Sequence, residues 1–351
     1  MKITLSHGNG GMETAELIES IFLKHFSNEY TSMEDAAVLP FNIGGQDVRV
    51  DNSRDERPAR DAWASSLQIK GPTLAFTTDS FVVKPLSFPG GDIGRLAVCG
   101  TVNDLLTTGG QPLYLSASFI LEENLDCDIL DSIVMSMAAA AKEAGVYIVT
   151  GDTKVIEGNG GLYINTAGVG VAGATRTSDV TDSDAIIVSG TLGDHHACIM
   201  SSRMGIRNNI KSDVAPLTGM VSDLIKNDIP IHGLRDITRG GLATVLCEIT
   251  KTTGLRADIF ETDLPVSEEV NGLCRILGLD PLYMGNEGKM LVIIPKEFAT
   301  EACNIIKRCS YGENAAVIGG FSEGSGVVLN TKIGGQRKLS TLFGEGLPRI
   351  C

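Results

Sequence analysis

The chain has 351 residues, room for two domains at roughly 100–200 residues each, and its 43% hydrophobic and 21% charged composition suits a globular protein with a sizeable core. A formal net charge of −14 repels phosphate backbones and anionic lipid, which argues against a nucleic-acid partner. The opening residues hold only a short apolar stretch and no run of about 18 apolar residues occurs, so a cytoplasmic protein with no membrane partner is expected.

In chain order, Met12–Phe26 carries apolar residues at helical spacing directly after His7-Gly-Asn-Gly-Gly11, so a glycine loop feeds a helix N-terminus. Residues 42–72, with Asp51-Asn-Ser-Arg-Asp-Glu-Arg-Pro58 at their centre, read as a polar excursion. A strand over Thr73–Thr77 precedes Pro89-Gly-Gly-Asp92, which opens a helix to about Thr108. Leu113–Leu121 predicts a strand, Asp126 an N-cap for a helix ended by Gly145, and Val146–Val149 a short buried strand. Leu162–Val171 is a further strand, and the polar run after it places a domain boundary near Gly173.

The second half predicts strands at 185–189, 256–260, 289–294, 315–321 and 326–329. Helices are expected near 194–204, 216–227, 240–252, 266–277 and 297–309. Neither half has the regular βαβ alternation of a doubly wound sheet, so both are assigned α+β. The expected division is 1–172, 173–342 and an extended tail over 343–351.

Composition adds one signal. The chain has 41 glycines, well above the usual ~7%, which implies many tight turns or close backbone approaches. Gly168-Val-Gly-Val-Ala-Gly173 matches a dinucleotide fingerprint, but no helix is expected after it, so that reading fails. No P-loop pattern occurs. His195-His196 has no third ligand at metal spacing and reads as a surface pair. The eight cysteines contain no CxxC and are expected to be reduced and mostly buried.

Four aspartates at element ends are more suggestive: Asp35, Asp79, Asp104 and Asp236. Mg2+ takes carboxylate and phosphate oxygens, so several aspartates with a glycine loop are what an ATP–Mg2+ site outside the P-loop class requires. Each aspartate alone is more often a cap or turn residue.

Ten segments then coincide with one family: His7–Gly11, Glu34-Asp-Ala-Ala-Val-Leu39, Thr78-Asp-Ser-Phe-Val-Val83, Phe88–Gly94, Ile148-Val-Thr-Gly-Asp-Thr-Lys154, Ile164–Gly168, Ser189-Gly-Thr-Leu-Gly-Asp194, Asp236-Ile-Thr-Arg-Gly-Gly241, Asn286-Glu-Gly288 and Pro348-Arg-Ile-Cys351. In this order they resemble the HypE family of nickel-iron hydrogenase maturation factors. That family is a branch of the ATP-binding superfamily of aminoimidazole ribonucleotide synthetase and selenophosphate synthetase. Selenophosphate synthetases usually place a cysteine or selenocysteine and a lysine in the N-terminal glycine loop, and His7–Gly11 has neither.

The resemblance implies a two-domain α+β synthetase-like ATP-binding fold whose N-terminal domains form a shared β-barrel in a homodimer. It implies ATP-dependent dehydration of a carboxamide on the Cys351 sulfur to a thiocyanate, the source of a hydrogenase cyano ligand. Partners would be the carbamoyltransferase HypF and the HypC–HypD complex as cyano acceptor. Matched to the family's motifs, Asp35, Asp79, Asp104 and Asp236 would hold Mg2+, while Gly8, Asn9, Gly10 and Gly11 would cradle ATP phosphate with backbone N–H groups. Asn103 and Asp152 are further nucleotide candidates. Lys154 would polarise the carboxamide oxygen and Glu287 accept its protons. A small-substrate phosphotransferase and a non-enzymatic assembly scaffold are the rival readings. The terminal thiol argues against the first, and the aspartate set against the second.

Overall fold

The computed structural model describes residues 11–17, 19, 37–40 and 73–342. Gly8, Asn9, Gly10, Asp35, the 42–72 excursion and Cys351 lie outside them.

The first half contains α1 (Met12–Leu17), β1 (Ala37–Pro40), β2 (Thr73–Phe81), β3 (Ser87–Phe88), β4 (Gly91–Asp92), α2 (Ile93–Leu106), β5 (Gln111–Glu122), α3 (Cys127–Ala144), β6 (Tyr147–Ile156) and β7 (Leu162–Val171). The second contains β8 (Asp184–Val188), α4 (Asp194–Met204), α5 (Thr218–Lys226), β9 (Gly233–Asp236), α6 (Gly241–Thr253), β10 (Arg256–Phe260), α7 (Glu268–Leu277), β11 (Met290–Pro295), α8 (Ala299–Arg308), β12 (Ala316–Ser322), β13 (Gly326–Asn330) and β14 (Gln336–Leu339).

The first sheet runs β1-β2-β7-β5-β6. In β2 the alternation required of a half-buried strand turns Ala75, Thr77 and Phe81 inward and leaves Phe76, Thr78 and Ser80 exposed. The inward face meets α2, whose start is fixed by Asp92 accepting from Gly94 N–H and Arg95 N–H. Helix α3 packs beside it through Ile133, Met137, Ala140, Ala141 and Ala144, one stripe at helical spacing. The two helices approach so closely that a Cβ on Gly94 would fall 2.5 Å from the Ile133 carbonyl oxygen.

The second sheet runs β14-β13-β10-β12-β8-β11-β9 and is covered on both faces. Alternate residues of β11 enter different cores: Leu291 and Ile293 join α6, whereas Met290, Val292 and Ile294 face α5 and α8. The latter core is continuous with that under the first sheet, because α2 packs on β2 and β7 on one side and on α5 and β9 on the other. Twelve of the fourteen residues of α2 are buried, so the helix belongs to both halves.

Three expectations are corrected. Of the run at 146–149, Val146 is buried as expected, but Tyr147–Val149 open the ten-residue β6, whose residues are all exposed at the edge of the sheet, with β5 its one paired neighbour among the described residues. Strands β1, β3, β4, β9 and β14 went unread, being only two to four residues each. His195 and His196 are buried rather than on the surface, because α4 is packed between β3 and α7. His195 Nδ1 lies 2.7 Å from Ser212 Oγ, and its ring stands edge-on to Phe88. The described cysteines are free, and of these Cys127 is exposed.

Burial pushes the His196 imidazole down to about 3, and its Nε2 has no hydrogen-bond partner. It is neutral when folded, while an unfolded histidine takes up a proton below about pH 6.5. Stability therefore falls as pH drops from 6.5 toward 3, by up to about 1.4 kcal/mol per pH unit. In urea unfolding, the wild type should lose about 2 kcal/mol between pH 7 and 5 that His196→Gln does not lose. Equal losses in the two proteins would contradict a buried neutral imidazole.

Candidate active site

Of the carboxylates predicted from the motifs, Asp79 of the first half and Asp236 of the second both act on the buried Glu287. On β2, Asp79 follows Thr77 on the face toward α2, and its Oδ1 accepts the Ser80 N–H at 2.7 Å. Asn165 of β7 anchors this strand end, its Nδ2 donating to the Asp79 carbonyl and to Ser80 Oγ, both at 2.9 Å. Asp104, in the last turn of α2, accepts from Thr77 Oγ1 at 3.0 Å. From the second half, Asp236 ends β9 opposite Met290 of β11.

Glu287 lies in the loop that leads into β11, 3% exposed. Its backbone is held from several directions. Asn286 Oδ1 accepts the Gly193 N–H at 2.7 Å, and its Nδ2 donates to the carbonyls of Ile237 and Met284. Asp213 Oδ1 accepts the Glu287 N–H at 3.0 Å. Asn103 of α2 donates to the carbonyls of Ala215 and Glu287 and accepts the Leu217 N–H. The Asn103 amide is thus a strut between the halves, with its hydrogen-bonding capacity engaged inside the protein.

Burial pushes the Glu287 carboxyl well above its ordinary range, and the negative charges of Asp236, Asp79 and Asp213 add to the rise, with Arg239 opposing. Burial also raises Asp79, again against Arg239 and the Ser80 N–H. In such a cluster negative charge outweighs positive. Among the described residues no three His, Cys, Asp or Glu side chains close around a metal ion by themselves. Mg2+ is usually held by one or two carboxylates, with substrate phosphates and water completing the octahedron.

Asp152 and Lys154 are placed elsewhere. They lie on β6, paired with each other at 2.6 Å and both well exposed. The register runs Asp79–Thr166–Ala117–Gly151 across the first sheet, so β6 is three strands from β2, roughly 14 Å at about 4.8 Å per strand. The single chain therefore does not bring Lys154 to Glu287. Gly11 precedes α1, where Met12 N–H donates to the Leu342 carbonyl at 3.2 Å, so the last described residue sits beside the start of that helix.

Arg239, Asp213, Asn286 and Lys289 escaped the sequence reading of the site. Arg239, Asn286 and Lys289 lie within or beside segments that carried the resemblance, whereas Asp213 has no motif to mark it.

The class of protein follows from matches to two family models, described as AIR synthase related protein, N-terminal domain, over residues 60–172, and C-terminal domain, over 181–332. Carbamoyl dehydratase HypE of Rhodobacter capsulatus is 44% identical over all of this chain and 98% of its own length. Among solved structures, hydrogenase maturation protein HypE in complex with ATP superimposes with a TM-score of 0.77 at 42% identity, each chain fully covered. A HypE–HypF complex gives 0.80 at 42%, covering 93% of this chain and 99% of the other. The chain belongs to the AIR synthase related family, in the group of the HypE carbamoyl dehydratases. Both the α+β two-domain class and the family expected from the motifs are borne out.

Like charges packed around a buried carboxyl strain the ligand-free protein. Asp79→Asn should therefore raise its thermal midpoint by about 1–2 °C, the shift expected for roughly 0.5 kcal/mol in a chain of this size. A lowered midpoint in scanning fluorimetry would make Asp79 a structural support instead.

Proposed function

We propose that this chain is an ATP-dependent carbamoyl dehydratase acting on a carboxamide carried by the Cys351 sulfur. The full-length identity to carbamoyl dehydratase HypE carries this reading. The bond of Met12 N–H to the Leu342 carbonyl supports it, since it ties the last described residue to the helix that follows Gly11. From there, nine residues at 3.3–3.6 Å each reach at most about 30 Å, enough to enter the site or leave it for a partner.

A thiocarbamate does not lose water unaided, because hydroxide is a poor leaving group. Transfer of the γ-phosphoryl group of ATP to the carbamoyl oxygen makes phosphate the leaving group. Loss of two N–H protons and phosphate then gives S–C≡N. Asp79, Asp104 and Asp236, with Asp35, would hold Mg2+, which when bound neutralises phosphate charge. Gly8, Asn9, Gly10 and Gly11 would cradle the phosphates, with Asp152 a further nucleotide contact. Glu287 is the proton acceptor: once ionised, a carboxylate with a raised pKa is a stronger base than an exposed one.

Lys154 reaches such a site from a second copy. Strand β6 exposes Tyr147, Val149 and Val155, at 71%, 59% and 66%, and α3 beside it exposes Val134 and Met135. An apolar edge of this kind calls for a partner. A homodimer closing its barrel over β6 covers the edge and carries Lys154 toward the other subunit's carboxylates, where it polarises the carbamoyl oxygen. HypF as carbamoyl donor fits the complex solved for a relative, and HypC–HypD is the proposed cyano acceptor. Among the described residues no helix is long and apolar enough to cross a membrane, and with a net charge of −14 neither a membrane nor a nucleic-acid partner is proposed. The cytoplasm is the proposed location.

Mass spectrometry of the C-terminal peptide tests this after incubation with carbamoyltransferase, carbamoyl donor and ATP. Wild-type peptide should gain a carbamoyl group and then lose water. Glu287→Gln should slow the water loss about 10²–10⁴-fold, and Cys351→Ala should gain nothing while still binding ATP. Carbamoylation of another cysteine, or normal dehydration by Glu287→Gln, would contradict the mechanism.

A further inference from the structure

One cation acts on the carboxylates of both halves. The Arg239 guanidinium opposes the negative charge at Glu287 and also at Asp79, so it lies within electrostatic reach of β2 and of the loop that leads into β11. Arg239 is exposed, whereas Glu287 and Asp236 are buried. Its charge therefore stands on the open side of the cluster, where a ligand arrives.

The backbone explains this placement. Residues 238–241 form a tight turn, closed by the Gly241 N–H on the Thr238 carbonyl at 3.0 Å. Gly240, at φ 81° and ψ −6°, has the left-handed conformation that a type II turn requires at its third residue, and Arg239 is not among the residues of positive φ. Arg239 thus takes the corner of the turn. The Ile237 N–H donates to the Lys289 carbonyl at 3.1 Å, and the Ile237 carbonyl accepts from the Asn286 N–H at 2.9 Å and from Asn286 Nδ2 at 3.2 Å. These bonds lace the strip that carries Arg239 to the strip that carries Glu287, with Arg239 two residues beyond Ile237 and Glu287 next to Asn286.

As a counter-ion alone Arg239 is ineffective, since both carboxyls stay above their ordinary range in its presence. A phosphoryl group in transit offers it more: charge is spread over three equatorial oxygens, and the planar fork of a guanidinium fits two of them at once. Lys289 does not compete for this task, because its ammonium is buried against the Gly288 carbonyl and Asp213.

We propose that Arg239 is a catalytic residue whose guanidinium grips two oxygens of the phosphoryl group as it passes from ATP to the carbamoyl oxygen. In that step the bond from the γ-phosphorus to the ADP oxygen breaks while one to the carbamoyl oxygen forms. ADP leaves with the electron pair, and Arg239 gives up no proton. The assignment rests on the phosphoryl transfer proposed above.

The test is calorimetry on the full-length protein with Mg2+, comparing ATP with ADP plus aluminium fluoride, a mimic of the phosphoryl group in transit. Arg239→Ala should weaken the fluoride complex by about 100-fold or more and ATP by less than about fivefold. Water loss from the carbamoylated arm should fall about 10³-fold, and added guanidinium should restore part of it. Arg239→Lys, which keeps the charge without the fork, should retain less than about a tenth of the wild-type rate, and it provides the same comparison of ligands if the alanine variant fails to fold. Equal weakening of both ligands, normal dehydration by Arg239→Ala, full activity of Arg239→Lys, or no fluoride complex with the wild type would overturn the proposal. A wild type that forms the Arg239-dependent fluoride complex yet never dehydrates its arm would count against the dehydratase reading alone.

Discussion

Helix α2 is the constraint on which the rest of the structure depends. A helix buried on nearly every side has no solvent face to slide on, so the sheet beneath it and the half beyond it are fixed to the same body. Gly94 permits the tight crossing with α3, and a Cβ on Gly168 of β7 would fall 2.8 Å from Thr101 of the helix. Asn103 adds a polar tie in this apolar setting, bound to Ala215, Leu217 and Glu287. Stripping its amide would leave buried backbone groups unpaired, at about 1–3 kcal/mol each. The active-site geometry follows from this joint, because Asp104 sits one residue further along the same helix and Glu287 hangs from the same asparagine.

The electrostatics of the junction run against the stability of the ligand-free chain. Asp79, Asp236 and Asp213 all act on the buried Glu287, and Arg239 only partly offsets them. A fold selected for stability alone would not gather them. Ligands that bring positive charge relieve the repulsion, and a proton acceptor of raised basicity is produced by the same crowding.

How much was legible in the sequence depended on whether the signal was local. Asp126 and Gly145 bracket α3 as read, with Gly145 in the left-handed conformation, because caps are decided by neighbouring residues. Strand Leu162–Val171 was likewise read with its observed bounds. Strand β6 was misjudged because an apolar run signals contact with something, and among the described residues nothing covers it. The buried histidines were misplaced for the converse reason, since adjacent polar residues carry no mark of the layers that close over α4. Asp236, Glu287 and Asp79, which the structure brings into electrostatic contact, each stand in a motif of the sequence. Asp213 was invisible, being a lone aspartate whose importance lies in the Glu287 N–H and the Lys289 ammonium, 74 and 76 positions later in the chain.

The central claim is that carboxylates from the two halves act on one nucleotide held at the α2 junction. A double-mutant cycle on ATP affinity, measured by calorimetry with Mg2+ for the wild type, Asp79→Asn, Asp236→Asn and the double variant, tests it most directly. The account predicts strong coupling, with the double variant little weaker than either single one, because one missing carboxylate already spoils the shared site. Losses that simply add would place the two aspartates in independent environments and contradict it.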